Sequence, residues 1–256
     1  MSDAVSHEGR VLRCRVARGR HGTLDDEALP VVRDALGALD ESVGAVLLVG
    51  DGPNFCTGGN VRAFAAAEDR HAYVHGLASH FHEFLTALVE CPVPVVAAVP
   101  GWAAGAGMSI VCGCDLAVAG RSTRLRPAYP GIGFSPDGGM TWTLPRVVGA
   151  GRARHILLTD QVLDAEAALA LGIVTTVVDD ADVAGEAEQT AYRLAQGPTA
   201  ALGRIKRLLG ASSTATLAEQ LAAEAEAIAA SAAGPEGSEG LSAFLEKRAP
   251  RFEASR

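Results

Sequence analysis

The sequence predicts an α/β fold of stacked β-β-α turns closed by a helical C-terminal region, and three observations carry that reading. Continuous apolar runs of strand length, residues 45–49 (AVLLV) and 94–99 (PVVAAV), have no polar face and suit strands covered on both sides. Segments with apolar residues three or four apart follow such runs, so a strand, a turn, a second strand or loop, and a helix recur along the chain; strands alternating with helices imply α/β architecture. From about residue 181 to 245 the periodicity becomes wholly helical and Ala-rich, which divides the chain into a core over 1–195 and a helical region over 196–256.

Residues 11–16 (VLRCRV) alternate and predict an edge strand with one buried face. Asp25 or Asp26 can cap a helix reaching Asp40, with Leu29, Val32, Leu36 and Leu39 at helical spacing. Residues 55–62 (FCTGGNVR) are too Gly-rich and too short for regular structure and predict a loop with exposed backbone. Tyr73, Leu77, Phe81, Phe84 and Leu88 mark an amphipathic helix that stops before Pro92. A second small-residue segment, 103–109 (AAGAGMS), leads into an apolar helix, and residues 115–119 predict a short strand. A Pro/Gly-rich loop precedes helices over 140–148, 150–158 and 165–171, and residues 174–178 form a final strand. Gly197-Pro198, Gly210 and Gly234-Pro235 break the C-terminal helices.

Composition bounds the function. The 256 residues suffice for one sizeable core, and 48% apolar with 20% charged residues is the make-up of a folded globular protein. A net charge of −8 argues against broad electrostatic capture of nucleic acid or anionic lipid, so an anionic ligand needs a local cluster of Lys and Arg. The five cysteines are an odd number without disulfide-type spacing, which fits a reducing compartment. Cys112 and Cys114 lack a second Cys or His cluster and read as small buried hydrophobes, and His71 with His75 lacks the glutamate of a zinc helix, so no metal is expected. The first ten residues carry no apolar signal core, and no run approaches the roughly 18 apolar residues that cross a bilayer. A soluble cytoplasmic protein is expected.

Neither Gly-rich loop fits a phosphate cradle, because G-x-x-x-x-G-K-[ST] and the dinucleotide fingerprint are both missing. Two such loops can instead offer free backbone N–H groups at close approach, the second on the first turn of a helix where donors lack intrahelical partners. That is what an oxyanion hole requires.

Phe55-Cys-Thr-Gly-Gly-Asn-Val resembles the F-S-A-G-A-D-L of the enoyl-CoA hydratase/isomerase (crotonase) family, and residues 94–107 (PVVAAVPGWAAGAG) resemble its P-V-I-A-A-V-N-G-Y-A-L-G-G-G. Residues 136–149 (PDGGMTWTLPRVVG) resemble P-D-G-G-S-T-W-L-L-P-R-L-V-G of isomerase-like members, and residues 244–248 (FLEKR) the family's C-terminal F-L-E-K-R. These matches span roughly residues 10 to 250. The resemblance implies the crotonase spiral, an acyl-CoA substrate, and a C-terminal region that packs a homotrimer or a dimer of trimers. No cofactor is implied beyond the coenzyme A of the substrate.

By matching positions, the resemblance implies oxyanion donors at Gly59 and Ala106. Ala106 replaces a usual Gly, which a main-chain donor tolerates where the backbone angles suit a Cβ. The family's hydratases use two glutamates, and those positions read Ser109 and Tyr129 here, against ordinary hydration. Asp137 stands where isomerase-type members and the dehalogenase branch place their single acid; Asp137 also suits the N-cap of the helix that follows. A lone carboxylate beside an enolate-stabilising hole can carry a proton from one carbon to another, a task that favours a raised pKa in an apolar pocket built from Phe134, Met140 and Trp142. The dehalogenase branch uses such an acid as a nucleophile together with a histidine, whose matching position reads Thr86. Further substrate contacts are implied at Leu24, Thr57, Asn60, Val61, Gly105, Ser109, Tyr129 and Trp142, and contacts to the CoA head group at Arg20, Arg62, Phe244 and Lys247. The function this implies is an acyl-CoA isomerase of the Δ3,Δ2-enoyl or ring-bearing type. A hydratase or other crotonase reaction, and a catalytically silent acyl-CoA-binding protein, are the alternatives.

Overall fold

A computed structural model of the chain describes residues 3–252. The outermost parts of the two regions inferred from sequence, residues 1–2 and 253–256, lie outside the described residues. In the N-terminal part, strands β1 (Val5–Glu8), β2 (Val11–Arg18) and β3 (Thr23–Leu24) lead to helix α1 (Ala28–Gly37) and strand β4 (Ala45–Gly50). Helices α2 (Val61–Ala66) and α3 (Arg70–Glu90) precede β5 (Val95–Val99), β6 (Trp102–Ala104) and α4 (Ala106–Gly113). The next layer holds β7 (Leu116–Gly120), β8 (Arg124–Arg126), α5 (Met140–Val148), α6 (Ala150–Leu158), β9 (Leu163–Asp164), α7 (Ala165–Ala170) and β10 (Thr176–Val178). Helices α8 (Val183–Ala195), α9 (Thr199–Ala211), α10 (Leu217–Ala233) and α11 (Pro235–Leu245) complete it.

The main sheet runs β1-β2-β4-β5-β7-β10 with β3 paired to β2, and β2, β4, β5, β7 and β10 are mutually parallel neighbours. Its apolar strands divide their side chains between two faces, as a period of two requires. Val46, Leu48, Val95 and Ala97 face the larger core with Leu29, Val32, Phe84 and Leu88 from α1 and α3. Ala45, Leu47, Val96 and Val118 face the other side, where Val183, Ala187, Ala191 and Ala195 of α8 step by four residues. The small side chains let α8 lie close to the sheet: a methyl group on Gly44 would stand 2.6 Å from the Ala195 carbonyl oxygen.

Four sequence expectations need correction. β2 is an inner strand, flanked by β1 and β4; its polar positions are satisfied laterally, as Arg15 pairs with buried Asp25 at 2.6 Å. The helix expected from Asp25 or Asp26 to Asp40 is shorter, Ala28–Gly37, although Asp25 Oδ1 accepts the Ala28 N–H at 3.3 Å. The loop over 55–62 ends at Asn60, which caps α2 by accepting the Ala63 N–H at 3.2 Å, so Val61 and Arg62 are helical. The break expected at Gly210 falls one residue later, after Ala211. A small second sheet, β6-β8-β9, was not legible at all. Among the described residues, no helix is long and apolar enough to cross a membrane, and no group of three His, Cys, Asp or Glu is placed to hold a metal ion.

Candidate active site

The two glycine loops meet backbone to backbone. Phe55 and Cys56 are fully buried, and the Phe55 N–H donates to Pro100 O at 2.9 Å, the Cys56 N–H to Trp102 O at 3.2 Å and the Ala104 N–H to Cys56 O at 2.8 Å. These bonds zip the first loop onto β6. Gly58, at φ +97°, crosses so near the second loop that a methyl group on it would stand 3.3 Å from Ala104 O and 3.8 Å from Ala106 N. Gly107 has no room either, since a methyl there would stand 2.0 Å from Cys56 O. Gly105 takes φ +54°, ψ −122°, a conformation open to glycine, and turns the chain so that α4 starts at Ala106. Ala106 itself has no positive φ. Its N–H, as a first-turn donor, has no intrahelical partner, and neither it nor the Gly59 N–H meets an acceptor among the described residues.

Both residues border a cavity of about 620 Å³ that also receives Leu24, Phe64, Leu77, Phe81, Tyr129, Phe134 and Asp137. Phe64 lies over Gly59, with a virtual Cβ on the glycine 2.7 Å from Phe64 Cζ, and stacks on Phe134 with ring centroids 6.3 Å apart and planes 17° apart. The upper half of the stripe read along α3 therefore faces the cavity at Leu77, while Phe84 and Leu88 face the core.

Asp137 reaches the cavity from the turn before α5. The residue capping α5 is Gly139, without a side-chain cap, so the carboxylate does not serve as the helix cap its position allowed. Its Oδ1 instead accepts the phenolic hydrogen of Tyr129 at 2.7 Å. Ser109, fully buried, donates its hydroxyl to the Asp137 carbonyl oxygen at 3.1 Å and stands 3.4 Å from Tyr129 Oη. Burial, and next the Asp137 charge, push the Tyr129 phenol far above its ordinary pKa, which keeps it a hydrogen-bond donor. The turn is tightly seated: Gly138, at φ +60°, has Phe81, Ser109 and Leu85 packed where a side chain would go, and its N–H donates to His82 Nε2 at 3.1 Å.

Of the residues expected from sequence, Asp137, Gly59, Ala106, Leu24 and Tyr129 line this cavity, and Ser109 and Gly105 stand directly behind it. Thr57 and Asn60 serve the loop itself: Thr57 donates to His21 O at 2.9 Å and Asn60 caps α2. Val61, Arg62 and Arg20 are exposed and outside the lining. Trp142 points away, with the Arg146 guanidinium 3.7 Å over its ring, so the apolar surround comes from Phe134, Phe81 and Phe64. Phe244 and Lys247 lie on and after α11 and do not line the cavity of their own chain. Thr86 turns its hydroxyl back to His82 O; the histidine beside the Asp137 turn is His82, one helical turn earlier. Asp26, His71 and His75 also line the cavity without having been read as site residues, and burial, then the charge of Asp25, raises the Asp26 carboxyl pKa.

The sequence model of the enoyl-CoA hydratase/isomerase family matches residues 8–255. The chain belongs to the enoyl-CoA hydratase/isomerase family. It is 38% identical over 218 residues to the 1,2-epoxyphenylacetyl-CoA isomerase of Escherichia coli (strain K12), covering 83% of this chain and 82% of the relative. It is 31% identical over 249 residues to 4-chlorobenzoyl coenzyme A dehalogenase-1 of an Arthrobacter species, covering 95% and 90%. Among solved structures, an enoyl-CoA hydratase from Polaromonas sp. JS666 superposes with a TM-score of 0.91 at 31% identity over 96% of this chain and 98% of that one. The fold is thus the crotonase spiral, and the protein is an acyl-CoA-converting enzyme of the enoyl-CoA hydratase/isomerase family.

Proposed function

We propose that this enzyme is an acyl-CoA isomerase that shifts a double bond, of the Δ3,Δ2-enoyl or ring-bearing acyl type. The observation that carries the reading is the placement of Asp137: its carboxylate shares a cavity with the two unpartnered N–H groups of Gly59 and Ala106, and Tyr129 occupies Oδ1. Oδ2 of Asp137 takes a proton from C2 of a 3-enoyl thioester, the electron pair moves onto the thioester oxygen, and the two N–H groups hold that charge. The same carboxyl returns the proton to C4 as the enolate collapses, leaving the double bond between C2 and C3. No water is consumed, which agrees with Ser109 and Tyr129 at the positions where the family's hydratases carry glutamates. Acid and base come from the chain, and coenzyme A enters as part of the substrate. The aromatic wall of Phe64, Phe81 and Phe134 supports a ring-bearing acyl group, as does the isomerase named above.

Assembly as a homotrimer or a dimer of trimers, in the cytoplasm, belongs to the same reading. Its support is the exposed apolar surface of the C-terminal helices, with Leu221, Ile228, Leu241 and Phe244 more than half exposed, and the five free cysteines. Phe244 and Lys247 then serve a neighbouring chain's ligand.

Two observations favour a second reading. His82 sits on the Asp137 turn, and a relative is named for dehalogenation of an aryl-CoA ester. In that reaction Asp137 displaces halide from the ring, and water hydrolyses the aryl–aspartyl ester, returning the carboxylate and a ring hydroxyl. A panel of 3-enoyl-CoA, 2-enoyl-CoA, ring-bearing and 4-chlorobenzoyl-CoA esters separates these readings. Double-bond migration supports the isomerase, whereas hydration or halide release with no migration overturns it.

A further inference from the structure

The segment that joins β8 to Tyr129 is held from outside the site by one side chain. Ala128 adopts φ +63°, a left-handed conformation that a residue with a Cβ seldom takes. It is kept there by Asp160, whose Oδ1 accepts the Ala128 N–H at 2.7 Å, while Oδ2 accepts Nη2 and Nε of Arg126 at 2.6 and 3.0 Å. Asp160 follows the last turn of α6 and is itself left-handed, at φ +53°. Aspartate takes the left-handed region more readily than most residues, and here its carboxylate is also fully engaged by Arg126 and Ala128. That side chain is 12% exposed and touches none of the residues lining the cavity; besides Arg126 and Ala128 it holds the Gly131 N–H, two residues past Tyr129.

What the clamp holds is the junction of both halves of the active site. The Arg126 carbonyl oxygen accepts the Gly105 N–H at 3.1 Å, fixing the residue before the oxyanion donor Ala106. Two residues beyond Arg126 along the segment lies Ala128, and the next residue is Tyr129, the partner of Asp137. We propose that Asp160 is a positioning residue for the reaction, tying the Ala106 donor and the Tyr129–Asp137 pair to one rigid segment through Arg126 and Ala128.

The rate arm of this inference rests on the isomerase reading; a second arm needs only acyl-CoA binding at the oxyanion pair. Asp160→Gly removes the side chain while suiting the left-handed backbone, so it separates the clamp from the fold. Misplacing catalytic groups by about 1 Å costs on the order of 100-fold, so a fall in kcat of about 10- to 100-fold is expected, with KM changed less than about twofold. Binding of a saturated ester, butyryl-CoA, followed by infrared spectroscopy should show the thioester carbonyl band shifted down by wild type and less by Asp160→Gly. Asp160→Asn, which keeps an acceptor for the Ala128 N–H, should recover part of both. Arg126→Gln supplies the same test should Asp160→Gly fail to fold. A folded Asp160→Gly protein with wild-type kcat and an unchanged carbonyl band overturns the proposal. A smaller carbonyl shift in Asp160→Gly than in wild type, where wild type moves no double bond, leaves the clamp standing and removes the isomerase reading instead.

Discussion

Tyr129 donates its phenolic hydrogen to Oδ1 of Asp137 at 2.7 Å, which leaves Oδ2 as the oxygen for the proposed proton transfer. Removing the donor in Tyr129→Phe leaves a half-buried carboxylate oxygen unsatisfied and frees the side chain to rotate. We expect kcat to fall about 10- to 100-fold with CoA-ester binding retained, a split that steady-state kinetics and calorimetric titration read directly. The phenol pKa is raised above its ordinary value of 10, burial being the larger cause, so the stability it contributes is present below pH 10 and lost as pH rises through the folded-state value. The melting temperature of wild type should therefore drop faster above pH 10 than that of Tyr129→Phe.

The glycine loops make a contrasting pair of predictions. In Gly107→Ala the new methyl would stand 2.0 Å from Cys56 O, backbone that cannot yield without parting the two loops. Displacing one oxyanion donor costs about 10²–10³ in rate, and forced overpacking about 1–3 kcal/mol in stability. Gly76→Ala, in the middle of α3 with nothing within 4 Å of the new methyl, should instead stabilise the protein by about 0.5–1 kcal/mol. Urea denaturation and kcat on the same two variants check both.

At the C-terminus, Arg248 bonds both Glu239 oxygens at 2.6 and 3.0 Å and holds the carboxyl well below its ordinary 4.5, at about 2. A depressed acid contributes stability above its unfolded pKa and loses it as pH falls through the folded one. The melting-temperature gap between wild type and Glu239→Gln should be constant from pH 7 to 5 and shrink between pH 4.5 and 2.

Much of the fold was legible because apolar runs and helical spacing are local signals. The runs 45–49 and 94–99 became the buried parallel strands, and Phe81, Phe84 and Leu88 became the core face of α3. β2 misled because Arg13 and Arg15 alternate with apolar residues as an exposed strand would, while their charges are met by neighbours outside the strand's own sequence. Strands β6, β8 and β9 are two or three residues long, too short to show a period. Within the site, motif resemblance pointed to Gly59, Ala106 and Asp137, which the fold brings to one cavity. His82 was not, because which face of α3 meets a turn 56 positions away depends on packing, and the neighbouring turn at Thr86 looked equivalent. Asp160 carried no signal beyond a non-glycine residue after a helix, whose left-handed φ only the structure reveals.

In the proposed mechanism Asp137 moves the proton while Gly59 and Ala106 hold the enolate. The most direct measurement compares wild type with Asp137→Asn on a 3-enoyl-CoA and a ring-bearing analogue, following double-bond migration and ester binding separately. The variant keeps an acceptor for Tyr129 and nearly the same shape, so binding should stay within about threefold while migration falls by about 10²–10⁴, the usual contribution of a positioned acid or base. Migration that persists at the wild-type rate in Asp137→Asn rules out Asp137 as the proton carrier.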